Sequence, residues 1–347
     1  MSDATSVHTF DSIHRNLGME LVRVTEAAAL SAAPHMGRGD RKAGDQGAVD
    51  AMRAVLGTIR MSGTIVIGEG EKDEAPMLYN GERVGTGDAP ELDLAVDPVE
   101  GTRLLALGRD NAIAVIAATP GGTMWTPGSS YYMEKIVVGR EARGTIEMEA
   151  PPAENLRRVA EALGRPIDQL TVFVLDKPRH RGLVRQVREA GARVALHTDG
   201  DVMGALLAAH PGTGIDLLMG VGGSPEGVIA AVAVQALGGE MFGRLAPQFD
   251  DEREALEAEV GREGISRILD LDDLMGGGDG FFAATAITGS PFLKGVRYER
   301  ALGVTTESLV IRAGSGSVRH IRGSHRLDPE HIFGPDRTAE VVGVVAD

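Results

Sequence analysis

Cysteine is missing from this chain altogether. Its absence excludes disulfides, thiolate zinc sites and any mechanism built on a thiol nucleophile, the cysteine phosphatases among them. Positive charge is also in deficit, with 35 basic against 50 acidic residues and a formal net charge of −15. A surface of that sign repels phosphate backbones and argues against nucleic-acid binding, yet it tolerates a small anionic substrate where local cations or metal ions offset the field. Aromatic residues make up only 4% of a chain that is 43% hydrophobic, so the apolar content is carried by Ala, Val and Leu. Long apolar runs are lacking too. "AIAVIAA" and "VIAAVAV" fall far short of the roughly 20 residues that span a bilayer. The first residues, "MSDATSVHTFDSIHRN", have neither the basic nor the apolar region of a signal peptide. No G-x-x-x-x-G-K-[ST] is present, which argues against a P-loop NTPase. The expectation is a soluble cytoplasmic protein with no membrane or nucleic-acid partner.

The 347 residues suffice for a large core in two packed subdomains. Apolar spacing predicts a helix over 17–33, and "GDQGAVDAMRAVLGTI" a second after a glycine-rich turn. Thr64–Ile67, "NAIAVIAAT" and "YYMEKIVVG" read as strands. The prolines of "EMEAPPAENL" mark a change of pattern, dividing the chain into 1–150 (α+β) and 151–335 (α/β). Beyond it, "TVFVL", "RVALHT" and "IDLLMGVGG" each precede a helical segment. That βαβαβα order predicts a parallel or mostly parallel sheet, with ligands at the carboxyl ends of its strands.

Acids stand at such ends. "GRGDRKAGDQGAV" carries Asp40 and Asp45, "IVIGEGEKDEAP" carries Glu69, Glu71, Asp73 and Glu74, "AVDPVEGT" carries Asp97 and Glu100, and "GVGGSPEGVIAA" carries Glu226. Each alone reads as a turn or capping acid; Asp97 and Glu100, for instance, suit an N-cap and a first-turn carboxylate. Together they pose an electrostatic problem. Carboxylates ~4 Å apart repel by roughly 4 kcal/mol per pair at an intermediate effective dielectric, so a buried cluster stays ionised only beside cations. Oxygen ligands without His or Cys select Mg²⁺ or Mn²⁺, and paired ions of that kind serve phosphoryl transfer. Cations for an anionic substrate sit in "LDKPRHRG", where Lys177, Arg179, His180 and Arg181 follow a strand. "HTDGDV" offers Asp199 and Asp201 to sugar hydroxyls, or as an N-cap box. "ILDLDDLMGG" imitates the D-x-D of haloacid-dehalogenase-type phosphatases, but its preceding strand is too short and Leu274 replaces the usual Thr/Val. "LMGGGDGFFAATAITG" reads as a glycine turn before a buried strand.

In this order, "GTIVIGEGEKDEAPMLYNGERVGTG", "DLAVDPVEGTRLLALG", "YYMEKIVVG", "KPRH", "DGDV" and "GVGGSPEGVIAA" resemble the class II fructose-1,6-bisphosphatases, of the lithium-sensitive, metal-dependent sugar phosphatase superfamily. The similarity runs from about Leu17 to about His325. It implies an α/β fold of alternating helix and sheet layers. It implies metal ligands at Asp45, Glu69, Asp97, Glu100 and Glu226, four in the first subdomain and one in the second. The stretch around Asp45 departs from the family's usual Lys-Asn-Thr-Ala-Asp, and Glu100 matches the class II form of a motif that carries Asp elsewhere in the superfamily. By the same resemblance Thr102 helps activate the attacking water. Substrate contacts fall on Glu100, Gly101, Thr102, Tyr132, Lys177, Pro178, Arg179, Asp199, Gly200, Asp201 and Gly223. The implied reaction is the gluconeogenic hydrolysis of the 1-phosphate of fructose 1,6-bisphosphate by a homodimer or homotetramer. Alternatives are a dual fructose-1,6/sedoheptulose-1,7-bisphosphatase and an inositol-monophosphatase-like activity. Residues 245–265 receive no role from the resemblance.

Overall fold

The computed structural model describes residues 16–69, 77–299 and 303–326. Glu71, Asp73 and Glu74 lie outside these. The described strands form two sheets. The first contains β1 (Ser62–Ile67), β2 (Arg83–Val84), β3 (Glu91–Glu100) and β4 (Ile113–Pro120). The second contains β5 (Tyr132–Val138), β6 (Thr171–Leu175), β7 (Arg193–His197), β8 (Leu217–Gly223) and β9 (Glu240–Leu245). The chain then returns to the first with β10 (Phe281–Ala286), β11 (Arg297–Glu299), β12 (Gly303–Arg312) and β13 (Ser317–His325). Passage to the second sheet thus occurs between β4 and β5, ahead of Ala150.

Helices fill three layers around the sheets. α1 (Leu17–Ala32) and α2 (Arg41–Leu56) cover the outer face of the first sheet, and α3 (Thr102–Leu107) follows β3 directly. α4 (Pro152–Leu163) and α5 (Arg181–Glu189) cover the outer face of the second. Between the sheets lie α6 (Asp201–Ala209), α7 (Ser224–Leu237) and α9 (Leu271–Met275), while α8 (Asp250–Ser266) follows β9. The alternation of β4 explains the layering. Ile113, Val115 and Ala117 face the middle helices, and Ala114, Ile116 and Ala118 face α1 and α2, so a strand apolar on both faces is covered on both. α7 is apolar all round and buried almost throughout, as befits a helix enclosed between two sheets. The alternating helix and sheet layers expected from the resemblance are present.

Direction within the sheets needs care. β7 and β8 run parallel to β6, whereas β5 runs antiparallel to both β8 and β9. Four strands of the second sheet therefore point one way and β5 opposes them, in keeping with a mostly parallel expectation. In the first sheet only β1 and β3 pair in parallel. β9 was not expected from the sequence, because Glu240, Gly243 and Arg244 dilute the apolar signal of its six residues. Its inversion gives β5 a particular use: Tyr132, at its start, lies opposite Gly223, at the end of β8. Residues from the beginning of β5 thereby join those at the carboxyl ends of its neighbours.

Gly276, Gly277 and Gly278 all have positive φ and lead into the fully buried β10, as the glycine-turn reading required. Asp270 caps α9 in a reciprocal capping box with Asp273, which disposes of the phosphatase-like D-x-D. Among the described residues, no helix is long and apolar enough to cross a membrane.

Candidate active site

β3 carries Asp97 and Glu100 to the edge of a cavity of about 860 Å³. The β3–β4 register breaks between these two residues. The Asp97 carboxylate accepts from the Val99 N–H at 3.0 Å, so it closes a local turn. It does not cap α3, whose N-cap is Gly101 at φ 84°. Thr102 donates its hydroxyl proton to the Val99 carbonyl at 3.1 Å and lines the same cavity. Its oxygen keeps lone pairs for another donor.

Further elements bring residues here. β8 ends in Gly222-Gly223, and α7 starts with Glu226 in its first turn. A Cβ on Gly223 would fall 1.7 Å from the Glu226 carboxylate, so only glycine permits this approach. After β6 come Lys177 and Arg179. Lys177 pairs with Asp199 at 3.2 Å. Arg179 donates twice to the Val221 carbonyl, at 3.0 and 2.7 Å, and lies 5.0 Å from the centre of the Tyr132 ring. After β7 come Asp199, Gly200 and Asp201. Gly200, at φ 96°, is the N-cap of α6, where no side chain caps the helix, so the N-cap-box reading of "DGDV" falls away.

The basic cluster after β6 divides. His180 is buried, its Nδ1 2.6 Å from the Leu175 carbonyl and its Nε2 2.8 Å from the Val221 N–H. The latter contact makes Nε2 an acceptor and the ring neutral, and burial holds its pKa down. His180 is therefore a brace between β6 and β8 and offers no charge to a ligand. Arg181 points away, into a separate cleft with Arg185 and Arg188.

Electrostatics bind the acids together. Burial pushes the Asp97 carboxyl well up, with help from Glu69, Glu100, Glu226 and Asp45. Glu100 is raised well above the usual range by burial, then by Glu226 and Asp201. Glu69 is pushed up to about 7 by burial and then by Asp45. Burial also raises Asp45 and Glu226, with Lys135 opposing the rise at Glu226. All five expected acids thus feel one field. Asp97, Glu100 and Glu226 line the cavity, whereas Asp45 and Glu69 act on it through Asp97.

The donor set fits a hard divalent cation: it is all oxygen, buried and mutually repelling. Oε2 of Glu100 is buried without a hydrogen-bond partner, which leaves it open to a cation. Among the described residues no three such side chains are drawn around a single point as a ready metal site; Asp97, Glu100 and Glu226 line the cavity separately.

A pH dependence follows in the absence of divalent ions. Carboxyls whose pKa is raised on folding bind more protons folded than unfolded, so stability is present at low pH and is lost as pH rises through the folded value. For Glu69 the window is 4.5 to about 7, worth roughly 3 kcal/mol. With a chelator present, the melting temperature is expected to fall between pH 5.5 and 8, and Mg²⁺ or Mn²⁺ to restore most at the upper end. Thermal scans check this; a midpoint that rises over that range in chelator would contradict it.

Sequence reading missed several residues that line the cavity or stand behind its lining. Arg41, Arg103 and Phe249 line it. Lys135 is only 3% exposed; its ammonium contacts Asp201 and donates to the Gly223 carbonyl at 2.6 Å. The signal for Lys135 was available: in "YYMEKIVV" it shares a strand face with Met133 and Val137, where a charge needs a buried partner.

Buried acids together with Lys177 and Arg179 at strand ends, around one cavity of an α/β protein, suit the class of metal-dependent sugar phosphatases. The chain belongs to the bacterial fructose-1,6-bisphosphatase family described as glpX-encoded, whose model matches residues 15–325. It is 44% identical over 327 residues to fructose-1,6-bisphosphatase 1 class 2 of Escherichia coli, spanning 91% of this chain and 97% of that protein. The same figures hold for the class 2 enzyme of Shigella flexneri.

Proposed function

We propose that this protein hydrolyses the 1-phosphate of D-fructose 1,6-bisphosphate to fructose 6-phosphate and phosphate, as a gluconeogenic enzyme of the cytoplasm. The observation that carries this reading is the meeting, in the lining of one cavity, of mutually repelling acids and the Lys177–Arg179–Tyr132 group. Asp45, Glu69, Asp97, Glu100 and Glu226 would hold Mg²⁺ or Mn²⁺, which supplies charge neutralisation and Lewis-acid polarisation of the phosphoryl group.

The chain's own residues do the rest. Thr102, its proton committed to Val99, accepts a hydrogen bond from the attacking water and orients it towards phosphorus. Displacement is direct, without a phosphoenzyme. Lys177 and Arg179 hold the 6-phosphate, Asp199 and Asp201 take sugar hydroxyls, and Tyr132 packs on the sugar; Gly101, Gly200 and Gly223 let the backbone come close, and Pro178 starts the short turn that separates Lys177 from Arg179. A second cationic group favours a bisphosphate over an inositol monophosphate. Assembly as a homodimer or homotetramer belongs to the same reading, on the strength of the family resemblance.

Phosphate release from fructose 1,6-bisphosphate, sedoheptulose 1,7-bisphosphate and inositol monophosphate, with Mg²⁺, Mn²⁺ or chelator, tests it. The expected result is metal-dependent release, fastest from the fructose ester. Comparable release from the sedoheptulose ester would make the enzyme dual. Preference for the inositol ester, or activity indifferent to chelator, would refute the reading.

A further inference from the structure

The start of α8 grips the substrate side of the cavity through two carboxylates seven residues apart. Glu252 is 2% exposed and, among the described residues, has no basic partner within ion-pair distance. Its Oε1 accepts from the Tyr131 and Tyr132 N–H groups at 2.8 and 3.0 Å, and its Oε2 from the Gln248 N–H at 2.8 Å. One turn pair further on, Glu259 accepts from the Ser129 N–H at 3.0 Å. A buried carboxylate satisfied only by main-chain donors is expensive to assemble and fixes those donors closely. Those donors flank a ring contact: Phe249, next to Gln248 and one residue before α8, meets the Tyr132 ring at 6.0 Å between centroids with planes 57° apart. Arg179 lies over the same tyrosine. Phe249 lines the cavity yet is 57% exposed, so its position is not explained by core packing.

We propose that Phe249 is a specificity-determining residue that limits the length of sugar bisphosphate accepted, and that Glu252 is the positioning residue holding it and Tyr132 in place. This rests on the bisphosphatase reading above. An exposed ring set on the cavity wall beside the phosphate-holding cations meets the sugar chain rather than the reacting phosphorus. Its effect is therefore on binding and on substrate choice, and one carbon of extra length is worth about tenfold or more at such a wall.

The test compares wild type, Phe249→Ala, Phe249→Tyr and Glu252→Gln with fructose 1,6- and sedoheptulose 1,7-bisphosphate. Phe249→Ala is expected to raise KM for the fructose ester about tenfold with kcat nearly unchanged, and to shift the kcat/KM ratio about tenfold towards the seven-carbon ester. Phe249→Tyr should restore the wild-type ratio. Glu252→Gln, which replaces one accepting oxygen by a donor, should move KM and the ratio in the same direction. A wild-type enzyme whose substrate ratio survives both Phe249→Ala and Glu252→Gln, or a loss confined to kcat, overturns the proposal and leaves the bisphosphatase reading standing. A wild type inactive on both esters would overturn that reading, and this inference with it.

Discussion

Asp97→Asn is expected to lower kcat about a thousandfold or more, a barrier change of roughly 4 kcal/mol, while leaving the protein folded. Asparagine keeps the oxygen that accepts from the Val99 N–H, so the turn survives. What is lost is one full negative charge at the point where Glu69, Glu100, Glu226 and Asp45 all register. The same change should have the opposite sign on stability. Without divalent ions at pH 8, asparagine cannot ionise beside the other acids, so the variant should melt no lower than the parent. Steady-state kinetics and melting in chelator give the two signs together. A residue that merely built the turn would lose stability along with activity, and near-normal turnover would remove Asp97 from the acid set.

The second large effect concerns Lys135. Lys135→Met is expected to destabilise the protein by about 3–5 kcal/mol, because it strands the Asp201 carboxylate in a buried, acid-rich place. Asp201 keeps the Glu100 and Glu226 carboxyls as neighbours, and the Gly223 carbonyl loses its donor. The double variant Lys135→Met with Asp201→Asn should regain part of the loss, since the Asp201 charge is then no longer stranded, while Glu226 still lacks the Lys135 ammonium. Denaturant unfolding of the four members of this cycle measures the coupling. Strict additivity would mean that the pair contributes nothing beyond its separate side chains.

Much of this site could be read from residues before any coordinates, and the reason is physical. Glu69 and Asp97 end apolar runs, and Glu69, Glu100 and Glu226 stand beside glycines, so strand ends, charge and close backbone approach are all local signals. Direction and pairing are not. Nothing within "YYMEKIVVG" says that its strand opposes its neighbours, although that inversion is what brings Tyr132 to Gly223. Glu252 and Phe249 were illegible for a similar cause: their partners lie some 120 residues away in the chain, and an acidic helix start looks like any solvated one. His180 misled because a histidine among arginines resembles a charge, whereas its surroundings make it a neutral brace between strands.

α7 touches strands of both sheets, among them β3, β4 and β10 on one side and β5, β8 and β9 on the other, and Glu226 rides on its first turn. A central helix shared in this way acts as a keystone. Prising the layers apart to admit a ligand would expose its whole apolar circumference, so traffic in and out has to pass over the loops at the mouth while the masonry behind them stays still.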